Sequence, residues 1–508
     1  MSKSVEFSEL AKHNSVDDLW IAVNGKVYDV TKFAQEHPGG PDVIYEYGGS
    51  DASSTYNEAH GPSLITKALD AKFHVGSIDP KTSPKKPEIG TKELDGEKRK
   101  SEERPSLDSI INLDDFERAA TKSLSEKAIA FIGSGSNDNF TRDANRSALN
   151  NIWLRPRVMK NVKTVSTATT LFGAKLELPV YISPTGGART GGAEGELTLA
   201  RGAAAGGIIH CFATPSSYPY DEILDATPQQ ALFQLYVNKD RAQSEAAIRQ
   251  MDASGKVKAI LVTVDTPIVS KREADERVKS NEVIAIGGVK TTVTGADKKG
   301  GGLARQSSGF IDPSVDWSII PWLRGLTSLP VLVKGIQTAA DARIAHSMGC
   351  DGIVLSNHGG RAADHAPPAI LILLELQKHC PEVLSSMEVL VDGGFRRGAD
   401  IVKAICLGAS AVGLGRSFLF SLSYGQQGVE RIIESKFLWI FDMTLVKKLI
   451  ILPKVLRDEI ETAMRLCGMT DLMRDAHPRF INTNRVDQLI PEEEHPYARK
   501  IVRDKSRL

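Results

Sequence analysis

Short apolar runs rich in β-branched residues recur through most of the chain. They lie at 178–183 (LPVYIS), 207–211 (GIIHC), 231–237 (ALFQLYV), 259–264 (AILVTV), 330–333 (PVLV), 352–355 (GIVL), 388–391 (EVLV) and 410–414 (SAVGL). Helix-length segments rich in Ala and Leu, such as 338–348 and 398–406, separate most of them. Eight such β–α units predict an α/β fold of the closed (β/α)8 type, a TIM barrel. An open doubly wound sheet is the alternative, but no GxGxxG follows the first run. A smaller block, residues 1–80, precedes this pattern and ends in the strand-like FHVGSI. Between them, 14 of the 24 residues of 81–104 are charged and only Ile89 and Leu94 are large and apolar. Such a stretch buries too little surface to offset its ordering entropy and reads as a flexible linker. The expected organisation is a small domain at 1–80, the linker, a large barrel domain at 105–490, and a tail at 491–508. Two stretches break the barrel pattern. KKGGGLARQSSG (298–309) lies in the long gap between the fourth and fifth runs and reads as a lid or as disorder. SKFLWIFDMTLVKKLIILPK (435–454) interrupts an otherwise continuous helical pattern as an atypical insertion. Its apolar core carries Asp442, Lys447 and Lys448 and is shorter than the roughly 20 residues a membrane span needs.

Composition narrows the class. Of the 508 residues 41% are hydrophobic and 25% charged, ordinary for a soluble globular protein, and the net charge is zero. A chain-wide cationic character, and with it a general nucleic-acid binder, is excluded. The zero conceals a division. Residues 1–80 carry 6 lysines, no arginine and 12 acidic residues, a net of −6, and the remainder carries +6. The five scattered cysteines imply no disulfide framework. The N-terminus reads as neither a signal nor a transit peptide. Ser506-Arg507-Leu508 is similar to a peroxisomal address, with an accidental basic tail as the alternative.

Two histidines stand out in the first block. His37 lies in HPGG (37–40), after KVYDVTKF, and His60 lies 23 residues further on, in NEAHGPS. Two imidazoles on facing helix–loop units can clamp a porphyrin iron from both sides. With KVYDVTKFAQEHPGG and the later HG, residues 1–79 resemble the cytochrome b5 fold, a small α+β haem domain. The resemblance implies haem b with His37 and His60 as axial iron ligands, and electron transfer without substrate binding.

The remaining chemistry clusters at the ends of the eight runs, which on a barrel form one face. His358 and Arg361 follow the sixth run in SNHGGR, a base and a cation suited to taking a proton from an anionic substrate. Thr263 and Asp265 alternate onto one side of the fourth run, where Asp265 can stabilise the His358 imidazolium. Gln234 and Tyr236 share a face of the third, Lys334 ends the fifth, and Arg272 follows the fourth. DGGFRRG, with Asp392, Gly394 and Arg396, follows the seventh run, and Gly415-Arg416 follows the eighth. Glycines with an arginine there match the usual phosphate site of such barrels.

SNHGGR, TVDTP, QLYV, LVKG and DGGFRRG are similar to motifs of the FMN-dependent α-hydroxy-acid oxidase/dehydrogenase family, from about residue 108 to 480. With the haem block in front, the whole chain resembles the flavocytochrome b2 family. The resemblance implies FMN and haem b as cofactors and oxidation of an L-2-hydroxy acid, L-lactate above all. Electrons would leave through the haem to cytochrome c or a similar one-electron acceptor. It also implies a homotetramer, with the mitochondrial intermembrane space as a second possible location. His358 is then the base, paired with Asp265; Arg361 binds the substrate carboxylate, Tyr236 contacts the substrate, and Arg272 assists near flavin and substrate. Lys334 lies beside the flavin ring, Gln234, Thr263 and Ser356 hydrogen-bond it, and Pro184-Thr185-Gly186 runs along it. Asp392 and Arg396 hold the ribityl chain and phosphate, and Gly394, Gly415 and Arg416 close round the phosphate. The alternative is an oxygen-reducing 2-hydroxy-acid oxidase; a haem carrier without turnover is a third reading, opposed by intact His358, Asp265 and Arg361. Two departures bear on the substrate. Phe131 stands where the family has a carboxylate-binding Tyr. Gly186 and Phe212 stand at positions expected to tune the R-group pocket, so a larger or aromatic 2-hydroxy acid is also open.

Overall fold

The computed structural model describes residues 4–37, 41–53, 56–57, 60–79, 82, 104–278, 303–306, 309–433 and 455–493. The linker 81–104 apart from residues 82 and 104, the glycines of HPGG, most of 298–309, the insertion 435–454 and the last three residues lie outside the described residues.

The first block builds a five-stranded sheet from β1 (Ser4–Val5), β2 (Asn14–Ser15), β3 (Asp18–Val23), β4 (Lys26–Asp29) and β5 (His74–Ile78), in the order β1-β5-β4-β3-β2. All pairings are antiparallel except β1 with β5. Asn24 and Gly25, both with positive φ, make the two-residue turn joining β3 to β4. One face of the sheet packs Leu19, Ile21, Val23 and Tyr28 against Ile44, Ile65 and Leu69 from the helical side.

The eight apolar runs become eight parallel strands: β6 (Val180–Ile182), β7 (Ile209–Ala213), β8 (Ala231–Leu235), β9 (Val257–Thr263), β10 (Val331–Ile336), β11 (Gly352–Leu355), β12 (Glu388–Asp392) and β13 (Ala411–Leu414). They pair in chain order and β13 closes on β6, so the barrel has no edge. Alternation along each strand sorts the side chains. Tyr181, Ile209, Cys211, Leu232, Leu261, Leu332, Val354 and Leu390 fill the interior, and their neighbours Ile182, Phe212, Phe233, Ile260, Val333, Ile353 and Val391 pack outward under the helices. The hairpin Thr169–Leu171 and Ala174–Leu176 plugs the N-terminal end of the barrel with Leu171, Ala174 and Leu176.

The same alternation builds the opposite end. Two residues beyond the apolar interior layer stand Gln234, Thr263, Lys334, Ser356 and Asp392, on β8 to β12 or just past them. A dry apolar floor therefore carries a polar layer at the C-terminal mouth, which is where barrel sites sit.

Candidate active site

A cavity of about 620 Å³ opens above that layer. Every barrel residue expected in catalysis or flavin binding lines it except Ser356 and Asp265. Those two stand immediately behind the lining. Ser356 is fully buried, and its hydroxyl donates to Asp392 Oδ1 (2.6 Å) while accepting from Lys334 Nζ (2.9 Å) and the His358 amide (3.0 Å). These three partners let Ser356 tie the floor together directly beneath the cavity where its flavin contact is expected. Lys334 Nζ also reaches Asp392 Oδ2 at 3.4 Å. Burial pushes the Lys334 ammonium down, but Asp392 and Asp265 outweigh it and hold its pKa above the ordinary value.

His358 follows β11 with φ of +59°, and Gly359 and Gly360 continue in the left-handed region. A side chain at Gly360 would meet the Arg142 backbone nitrogen at 2.4 Å, so only glycine fits the turn. This backbone carries the imidazole over the barrel mouth, where Nδ1 lies 2.9 Å from Asp265 Oδ1. Burial raises the Asp265 carboxyl, yet His358 and Lys334 prevail and hold it below the usual range. An ionised Asp265 can only accept, so the neutral imidazole carries its proton on Nδ1 and leaves Nε2 basic. Nε2 points into the cavity, 3.4 Å from Tyr236 OH. Burial, then the Lys334 and Arg272 charges, outweigh Asp265 and leave the His358 pKa below its ordinary value.

Three arginines, Arg272 buried and Arg361 and Arg416 half-buried, supply the opposite charge. Arg361 donates to the carbonyls of Ser134 (3.1 Å), Phe131 (3.1 Å) and Ile132. Arg416 donates to those of Ile132 (3.1 Å), Ser134 (3.1 Å) and Gly359 (2.9 Å). Arg272 is 7% exposed, and its Nε has no partner among the described residues. Burial lowers the pKa of all three, the cost of holding cations away from water, and Arg361 and Arg416 have only neutral carbonyls as hydrogen-bond partners among the described residues. An anion entering the cavity relieves that cost. Arg396, with Glu117 at 2.7 Å, lines the cavity beside Arg142 and Arg146.

The expected R-group positions resolve differently. Gly186 lines the cavity, and a side chain there would meet Pro215 Cγ at 2.7 Å, so its small size is also required by packing. Phe212 does not face the cavity, which corrects the expectation: Cys211 and Ala213 point inward on β7, and Phe212 packs outward with Phe233 (5.2 Å) and Tyr220 (6.1 Å). Phe131 does line it, with the Arg361 guanidinium 5.9 Å from its ring.

Sequence reading passed over the buried pair Asn145 and Asn357. Each donates its amide to the other's carbonyl at 2.9 Å, and Asn357 Oδ1 also accepts from the Gly360 amide at 3.0 Å. The pair fastens the helix Phe140–Asn150 to the His358 turn. Asn357 was visible inside SNHGGR, whereas nothing local marks Asn145.

In the first block the rings of His37 and His60 lie edge to face at 66°, with centroids 6.1 Å apart, flanked by Phe33 and Tyr56. His60 Nδ1 is buried without a partner among the described residues, and burial first, then His37 and Arg189, depresses its pKa. Two opposed imidazoles on an apolar floor, one held neutral, fit haem iron. His13, stacked on Trp20 and 2.7 Å from Asp18, and His74, beside Tyr28, stand apart from this pair. In the barrel, Thr185 Oγ1 is likewise buried without a partner among the described residues. An unpartnered hydroxyl, a buried ammonium at the floor and an arginine-rich flank fit a flavin ring and its phosphate.

Comparison with known proteins agrees. Residues 120–436 match the FMN-dependent dehydrogenase family. The chain belongs to that family. Residues 6–79 of this FMN-dependent dehydrogenase match the cytochrome b5-like haem/steroid-binding domain. It is 36% identical over 485 residues to an L-lactate dehydrogenase (cytochrome) of Wickerhamomyces anomalus, covering 94% of this chain and 79% of that one. It is 37% identical over 480 residues to the Saccharomyces cerevisiae L-lactate dehydrogenase (cytochrome), covering 92% and 77%. Among solved structures, the flavin-binding domain of baker's yeast flavocytochrome b2 superposes with a TM-score of 0.64 at 35% identity, over 77% of this chain and 91% of that one. The dehydrogenase is an oxidoreductase with FMN and haem b as cofactors. Among the described residues, no helix is long and apolar enough to cross a membrane.

Proposed function

We propose that this dehydrogenase oxidises L-lactate to pyruvate and delivers the electrons through haem b to a cytochrome c-type acceptor. The observation that carries the reading is the His358–Asp265 pair: it turns a basic Nε2 into a cavity walled by Arg272, Arg361 and Arg416. In that cavity Arg361 and Arg272 take the carboxylate of the 2-hydroxy acid. Tyr236 and His358 flank its hydroxyl, and Nε2 accepts the proton that leaves. Asp265 stabilises the resulting imidazolium, and Lys334 keeps positive charge at the floor. FMN supplies a two-electron acceptor that can discharge one electron at a time to the haem held by His37 and His60. The acidic first block, with its net charge of −6, suits a basic acceptor protein. A homotetramer accords with the family resemblance.

The test is anaerobic addition of L-lactate to purified holoenzyme while flavin and haem spectra are followed. Bleaching of the flavin followed by haem reduction supports the reading. Bleaching with an oxidised haem and fast turnover on oxygen supports the oxidase instead, and no change with any 2-hydroxy acid refutes both.

Phe131 lacks the hydroxyl that would join Arg361 on the carboxylate. Phe131→Tyr restores one hydrogen bond to a charged group, worth about 1.5–3 kcal/mol. The Kd for lactate or pyruvate should tighten by roughly 10- to 150-fold. Flavin-perturbation titration measures it, and an unchanged Kd shows that Phe131 does not limit carboxylate binding.

A further inference from the structure

The haem block and the barrel meet around a side chain that neither reading above uses. Arg189 lies just beyond the cavity-lining stretch Ser183–Gly187. Its two terminal nitrogens donate to the carbonyls of His60 and Asn57, and its guanidinium lies 5.6 Å from the Tyr218 ring. Around it the contact is close. The Gly61 amide donates to Ser217 O at 3.3 Å, and Ser63 Oγ hydrogen-bonds Glu222. A side chain at Gly61 would meet the Tyr218 ring at 2.7 Å, so glycine lets the two surfaces touch. On the barrel side, buried Glu196 accepts from the Ala188 amide (3.1 Å) and the Ser217 amide (2.9 Å), tying the Arg189 loop to the Ser217 loop.

We propose that Arg189 is a positioning residue for electron transfer between the domains: a latch that holds the His60 loop against the flavin-facing loop. The proposal rests on the flavin-to-haem reading above. Oxidation of one 2-hydroxy acid releases two electrons and two protons, and each ferric haem accepts one electron. The latched contact must therefore serve twice per substrate, with the ferrous haem passing its electron to the external acceptor between the two transfers. A guanidinium suits the task because its fork spans two carbonyls at once, which a single ammonium does not. Carbonyls are weaker partners than carboxylates, so the latch can release. Four residues, Gly186 to Arg189, and one hydrogen bond also make the path from cavity wall to haem-ligand peptide short.

The experiment uses the holoenzyme and the variants Arg189→Met and Arg189→Lys. Stopped-flow mixing with L-lactate separates flavin bleaching from haem reduction, and hydrogen–deuterium exchange reports on residues 60–64 and 214–218 independently of turnover. The expected result for Arg189→Met is flavin bleaching within twofold of the parent, haem reduction slowed at least tenfold, and faster exchange in both segments. Arg189→Lys should recover part of the haem rate. Turnover with ferricyanide taken directly from the flavin should be unchanged, while cytochrome c reduction falls in step with the haem rate. Gly61→Ala approaches the same contact from the haem side and should show the same split, with the haem absorption spectrum confirming that His37 and His60 still bind iron. An unchanged haem rate in both Arg189→Met and Gly61→Ala, or unaltered exchange, overturns the latch. Flavin that lactate fails to bleach in the parent protein is instead a failure of the proposed function.

Discussion

His358→Gln should lower lactate-driven flavin reduction by about 10²–10⁴-fold, the usual contribution of a positioned general base. Glutamine keeps a polar group near Asp265 and Tyr236 but accepts no proton at neutral pH. FMN content should remain near that of the parent, because the floor contacts of Lys334, Ser356 and Asp392 do not pass through the imidazole. The pH profile offers a second check. The base works when neutral, and burial with the Lys334 and Arg272 charges holds its pKa below the ordinary value. In the parent enzyme kcat/KM should therefore stay high as pH falls through 6.5 and decline only at lower pH. His358→Gln should remove that acidic limb along with the rate. Stopped-flow flavin absorbance across pH 4.5–8 measures both, and a variant that keeps the limb places the essential base elsewhere.

Legibility in the sequence followed the range of the interaction. The barrel strands were readable because a buried strand writes its own apolar run, and the polar layer because it follows each run at a spacing of two. That period also put Gln234 with Tyr236 and Thr263 with Asp265. The same period, applied to β7, would have turned Phe212 outward; it was placed in the pocket by positional resemblance, and the pleat overruled it. What the sequence did not carry is contact between distant segments. Asn145 meets Asn357 across 212 positions, Lys127 meets buried Asp275 at 3.1 Å, and Arg189 meets His60. None has a local pattern, since each pairing depends on where folding brings two unrelated loops. Ser356 shows the intermediate case: its place in the layer was readable, but its three partners depend on where folding brings Lys334, Asp392 and the His358 amide.

Lys334→Met should destabilise the protein by about 3–5 kcal/mol, the usual cost of removing one partner from a buried ion pair. The ammonium, 3% exposed, stands between Asp392 Oδ2 at 3.4 Å and Ser356 Oγ at 2.9 Å. Methionine fills a similar volume, so the loss is electrostatic rather than a cavity. Asp392 keeps the Ser356 hydroxyl at 2.6 Å but loses its countercharge in a buried layer. The sign with pH follows from the two groups whose shifts are known. The raised Lys334 pKa makes its stabilisation complete below the unfolded value of about 10.4 and lost only as pH rises past the folded value. The lowered Asp265 pKa contributes stability above about pH 3.9, lost as pH falls through the folded value, and Lys334 is one cause of that lowering. The deficit of Lys334→Met should thus be widest between about pH 5 and 9 and narrow toward pH 3. Thermal unfolding at pH 3 and pH 7.5 measures it, alongside the flavin-to-haem ratio of purified protein. The ratio should fall with the haem Soret band intact, because the lesion sits in the barrel and leaves His37 and His60 untouched. Equal melting temperatures for parent and variant at pH 7.5 would show that the floor does not depend on its cation.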